Sequence, residues 1–147
     1  MSFRQSTIVA TTFLAGAAAL VLSAAASWAQ TANPERDVAL IRQDQSDCTN
    51  STVPSSNPPD QQGIAFVVRG NNGNTSVKVA MTASPDTTYH FFLKCVRQLG
   101  DIKTDDDGIG EAIFSFATSE TGATYGFDMY PEGAPSGNKF QSMTVKF

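Results

Sequence analysis

Along residues 63–147 apolar and polar side chains repeatedly alternate, the period that sends successive residues to opposite faces of a β-strand. Residues 63–69 alternate with Ile64, Phe66 and Val68 on one face, and residues 75–81 with Val77, Val79 and Met81. The Gly70-Asn71-Asn72-Gly73-Asn74 stretch between them favours positive φ, so the pair reads as a hairpin with those two sets facing the core. From Tyr89 the side chains of Tyr89, Phe91, Leu93 and Cys95 point one way, and His90, Phe92, Lys94 and Val96 the other. A short segment over 99–104 precedes the turn Asp105-Asp106-Asp107-Gly108. The next strand puts Ala112, Phe114 and Phe116 on one side, with Glu111, Ile113 and Ser115 opposite. Tyr125, Phe127 and Met129 share a face in 124–130. A last strand over 140–147 points Gln141, Met143, Val145 and Phe147 together, and residues 38–41 form a first or edge strand, with a helical turn as the competing reading.

Strands with one apolar face need a second layer to cover it, and no long segment carries a helical period. The pattern therefore predicts an all-β domain, an antiparallel immunoglobulin-like β-sandwich of about seven strands, with a small β-barrel as the alternative. The Ser84-Pro85-Asp86-Thr87-Thr88 turn leads straight into Tyr89, a placement in which the phenol ties down the connecting loop at a sandwich corner. With Pro85, Thr87 and Tyr89 in place and Ala83 in the leucine position, these seven residues resemble the L-x-P-x-T-x-Y corner of fibronectin type III domains. The resemblance implies a β-sandwich and no activity.

Ahead of the strands, residues 1–29 read as a cleaved signal peptide: Arg4, an apolar body over 8–22, and Ser27-Trp28-Ala29 as a small-x-small cleavage site. Removing 29 of the 147 residues leaves 118, one domain over 30–147 able to bury a single core. Arg4 is lost with the leader, so nine basic residues face fourteen acidic ones and the net charge is about −5. Nucleic acid is not expected as a partner, because its phosphates need clustered Lys and Arg, here scattered singly. Nor is membrane insertion of the mature chain. Export leads to an oxidising compartment, secreted or periplasmic, where Cys48 and Cys95, the only two cysteines, can persist as a disulfide. Residues 49–62, rich in Pro, Ser and Asn, read as a long surface loop following Cys48. Sequons stand at Asn50 and Asn74.

Candidate chemistry is sparse. Asp105, Asp107 and Glu111 could form a calcium site at the sandwich rim, since hard cations want several carboxylate and carbonyl oxygens at one point. The EF-hand pattern fails there: its first ligand position falls on Lys103 and its late Glu on Phe114. Adjacent Asp side chains also suit an ordinary hairpin turn closed by Gly108. His90 is the only histidine, which removes multi-His metal sites, and there is no G-x-S-x-G elbow to make it a triad base. Phe92 and Val96, opposite the expected core face, are either covered by a loop or form an apolar patch for a partner.

The expectation is a non-enzymatic secreted or periplasmic module that binds a protein or glycan and needs no cofactor. A pilin-like assembly subunit and a hydrolase or isomerase with an unrecognised site are the alternatives. No oligomeric state follows from the sequence.

Overall fold

The computed structural model describes residues 32–43, 48, 61–135 and 137–147. Ten strands account for most of them: β1 (Glu35–Arg42), β2 (Gln61–Arg69), β3 (Asn74–Thr82), β4 (Thr88–Leu93), β5 (Arg97–Lys103), β6 (Ile109–Ala117), β7 (Thr124–Tyr125), β8 (Phe127–Pro131), β9 (Phe140–Ser142) and β10 (Val145–Lys146). A single 3-10 turn, Thr118–Glu120, follows β6. Eight strands form one antiparallel sheet in the order β5-β4-β8-β9-β1-β2-β3-β6, and β7 pairs with β10 in a separate ribbon. The protein is all-β. The two layers of the expected sandwich are halves of one continuous ladder, β5-β4-β8-β9 and β1-β2-β3-β6, folded so that their inner faces share one core.

That core joins Val77, Val79 and Met81 of β3 to Tyr89, Phe91 and Leu93 of β4 and Phe127 and Met129 of β8. Across the fold, Phe91 stacks on Phe114 of β6 at 4.9 Å between ring centroids and on Phe127 at 5.1 Å. Offset stacking and edge-on contacts add to the area term that aromatic burial supplies, so this cluster carries much of the fold. Gly100 is fitted to it: a Cβ there would lie 2.6 Å from the Phe114 ring.

The expected faces hold for β3, β4, β6 and β8. They reverse in β2. Ala65 and Val67 are fully buried, whereas Ile64, Phe66 and Val68 lie on the outer face, half-buried. The cause is register. Arg69 pairs with Thr75 across the hairpin tip, and this sets Val67 opposite Val77, Ala65 opposite Val79 and Gly63 opposite Met81. Residues directly opposite share a face, so the inward β3 set takes the small residues of β2 inward with it.

Smaller corrections follow from the ladder. β1 is an interior strand between β9 and β2, with a bulge between Leu40 and Ile41 that lets both be buried. The 124–130 segment divides at Gly126 and the 140–147 segment at 143–144, and Phe140, expected to face outward, is core. Cys95 is not on β4: it sits in the following turn with φ of 59°. Lys94, expected on the polar face, is buried at 5% exposure, with its Nζ 3.6 Å from Asp128. The leader assigned to 1–29 and residues 49–60 of the expected loop lie outside the described residues; Gln61 and Gln62 belong to β2.

Candidate functional site

At one end of the sheet two turns are laced together. The Ser84 N–H donates to the Tyr89 hydroxyl at 3.2 Å, and that hydroxyl donates to Asn138 Oδ1 in the 131–140 connection. The phenol ties the corner down as the sequence predicts. Thr104, buried, adds a second tie that the sequence did not advertise: its Oγ1 accepts the Thr87 N–H at 2.9 Å and donates to the Ser84 carbonyl at 2.6 Å. The neighbouring acidic turn closes on Asp105, whose Oδ1 accepts the Asp107 N–H at 3.0 Å and the Ile109 N–H at 2.7 Å. Gly108 completes it at φ of 80°, where a Cβ would fall 2.2 Å from the Ala83 carbonyl oxygen. Only glycine meets both conditions.

The calcium candidates are thereby distributed. Asp105 caps the turn's own backbone, Asp107 lies exposed beyond it, and Glu111 on the outer face of β6 pairs with Lys78 at 3.3 Å. Among the described residues no group of three His, Cys, Asp or Glu side chains converges on a cation position. The Cys48–Cys95 disulfide is formed, with Cα atoms 5.7 Å apart.

His90 stands on the outer face of β4 with both ring nitrogens taken. Nδ1 is 2.7 Å from Asp101 on β5 and Nε2 is 3.3 Å from Glu132 after β8, while Gln98 Nε2 lies 2.7 Å from the same Asp101 oxygen. The Asp101 hydrogen bond raises the imidazole pKa above its ordinary value; desolvation opposes it, and the Glu132 hydrogen bond adds a further, smaller push upward. No hydroxyl or thiol is among its described partners, so the arrangement favours a charged imidazolium clip between strands over a base poised on a nucleophile. Nearby, Arg97 grips Glu120 at 2.6 and 3.0 Å, which holds that carboxylate's pKa below its usual range, helped by the Ala117 N–H. Burial pushes the Tyr125 phenol up to about 12, the charge of Arg69 opposing it.

The structure separates the two residues of the expected partner patch. Phe92 lies half-buried and stacked on Tyr130 at 4.8 Å, whereas Val96 is 53% exposed in the turn after β4. Another apolar surface lies on the outer face of β2, β3 and β6. It carries Ile64, Phe66 and Val68 along β2 and, on β6, Ile109 and Ile113, exposed at 52% and 72%. The ladder aligns Phe66 with Lys78 and Lys78 with Ile113, so the Lys78–Glu111 pair runs through the patch. Ile113 was legible as outward-facing. The β2 residues were not, because both faces of β2 are apolar and only the hairpin register decides between them.

The chain matches no family model and no curated protein. The resemblance to fibronectin type III domains therefore stands on the seven residues over 83–89 alone.

Proposed function

We propose that the protein is a non-enzymatic binding module of an oxidising compartment, secreted or periplasmic, that engages a protein or glycan through the outer face of β2, β3 and β6. One observation carries this reading: a rigid, hydrogen-bonded sheet presents Ile64, Phe66, Val68 and Ile113 outward while smaller residues fill the core behind them. Part of each of these side chains, and most of Ile113, still meets water, and apolar area left on a sheet face supports reading it as an interaction surface. The Cys48–Cys95 bridge and the leader pattern over 1–29 support the compartment.

Fractionation of expressing cells, non-reducing electrophoresis and size exclusion with light scattering test the reading together. It expects a processed chain starting near Gln30 outside the cytoplasm, both sulfurs oxidised, eluting as a discrete species. Ladders of increasing mass would replace it with a strand-exchanging assembly subunit. Full-length reduced protein retained in the cytoplasm would remove the export component.

A further inference from the structure

The apolar patch does not end at Val68. Towards the β2–β3 hairpin it runs into a second hollow of about 430 Å³ lined by Asn33, Asn71, Asn72, Asn74, Ser76 and Ser115, and the two hollows share Val68 and Ser76. The first, of about 390 Å³, has Phe66, Val68 and Ile113 as its apolar part, with Glu35 and Lys78 beside them. Both are hollows open to solvent on the sheet surface, so a ligand there would lie along the face rather than be enclosed.

The chemistry of the second hollow is unusual for a protein whose charge is predominantly acidic: four amides and two hydroxyls line it, with no titratable side chain among the described residues. Each amide offers a carbonyl acceptor and two N–H donors, and each serine both donates and accepts. The tip that carries them is held firmly. Gly70 N–H donates to the Asn74 carbonyl at 2.8 Å, Asn74 N–H to Asn72 Oδ1 at 3.1 Å, and Thr118 N–H to the Gly73 carbonyl at 2.9 Å, while buried Thr75 shares a hydroxyl hydrogen bond with Thr118. Preorganisation of this kind reduces the entropy lost when a ligand is fixed. Among the described residues this hollow holds no cation for an anionic ligand and no carboxylate for a cationic one, while in the neighbouring hollow Glu35 stands at the lining and Lys78 is already paired with Glu111. The complement is a neutral molecule with hydroxyls along one edge and C–H groups on one face: the edge meets the amides and the face meets Phe66 and Val68.

We propose that this continuous groove is a binding site for a neutral glycan, with Asn71, Asn72, Asn74 and Ser76 reading hydroxyls and Phe66 with Val68 supporting a sugar ring. The assignment rests on the binding-module reading and deepens it. Purified protein titrated with short neutral gluco-, manno-, galacto- and N-acetylhexosamine oligosaccharides, followed by two-dimensional amide NMR, tests it. Saturable shifts are expected at the side-chain amides of Asn71, Asn72 and Asn74 and along β2. Phe66→Ala and the pair Asn71→Ala/Asn74→Ala should each weaken binding at least tenfold while the amide spectrum remains that of the folded domain, and Val96→Ser leaves binding intact. No shift from any sugar in the panel overturns the glycan assignment, as does binding that survives both groove variants. If sugars fail but Phe66→Ala and Ile113→Ser abolish binding of a defined protein or change the oligomeric state, the binding module stands with a different ligand. If neither sugars nor those substitutions have any effect, both readings fall.

Discussion

Replacing Tyr89 by Phe removes one oxygen atom and leaves the rest of the corner in place. The ring is fully buried, edge-on to Phe140 at 5.7 Å, and phenylalanine keeps that packing. What is lost is the bridge between two chain segments: Ser84 N–H loses its acceptor and Asn138 Oδ1 its donor. At about 1 kcal/mol for each net hydrogen bond, with a further penalty if the Ser84 N–H stays dry, the change should cost about 2 kcal/mol. For a domain of this size that corresponds to a fall in melting temperature of about 8 °C. Thermal unfolding followed by near-ultraviolet circular dichroism measures it, and a double-mutant cycle with Asn138→Ala isolates the side-chain pair, with a coupling of about 1 kcal/mol expected. A fall smaller than about 1 °C would refute the idea that the hydroxyl, beyond its ring, secures the corner. So would full additivity in the cycle, for the Asn138 half of the argument.

The reversed faces of β2 make a paired prediction: Val67→Asp, which would bury an unpaired carboxylate in the core, should cost about 4 kcal/mol or more in chemical denaturation, and Phe66→Asp, whose carboxylate can reach water on the outer face, about 2 kcal/mol or less. The opposite ranking would return Phe66 to the core. Reducing the disulfide, which spans a sequence separation of 47, should lower stability by about 4 kcal/mol through the loop entropy returned to the unfolded chain; coincident denaturation curves with and without reductant would contradict this. His90 titrates above the ordinary imidazole value because Asp101 and Glu132 favour the cation. Its stabilising contribution is therefore complete below the unfolded pKa of about 6.5 and disappears as pH rises through the higher folded pKa. The melting temperature of His90→Gln should fall furthest below the wild type under mildly acidic conditions and converge with it in alkali, and an NMR titration of this single histidine giving a pKa at or below 6.5 would reject the clip.

How legible was each feature? Alternation in β3 marks strand and inward face together, because its large apolar residues fall on one parity only; in β4, β6 and β8 the inward parity holds most of the bulky residues, although Phe92, Ile113 and Tyr130 stand on the other. Tyr89 could be singled out as a corner tie, since the turn before it and its place heading an inner strand are local facts. Asp105 could be read as turn chemistry for the same reason. β2 resisted: with Ile64, Phe66 and Val68 on one parity and Ala65 and Val67 on the other, size favoured the wrong face. Lys94 resisted too, because its burial beside Asp128 joins residues 34 positions apart. Thr104 gave no sign of its role, which needs two backbone groups of another turn brought within 3 Å.

From the order of its amino acids alone, this protein had to be β-rich, turn-punctuated and provided with a cysteine pair, since side-chain period and turn propensity act over a handful of neighbouring residues. The strand order, the choice of face in β2, the His90 clip and the amide-lined groove were decided only when distant segments met. Pairing register is a property of two strands and their connection, and a one-residue slip exchanges core for surface along the whole strand. Here that exchange turned Phe66 and Val68 outward, next to the asparagines of the hairpin, and made the surface on which the proposed function depends.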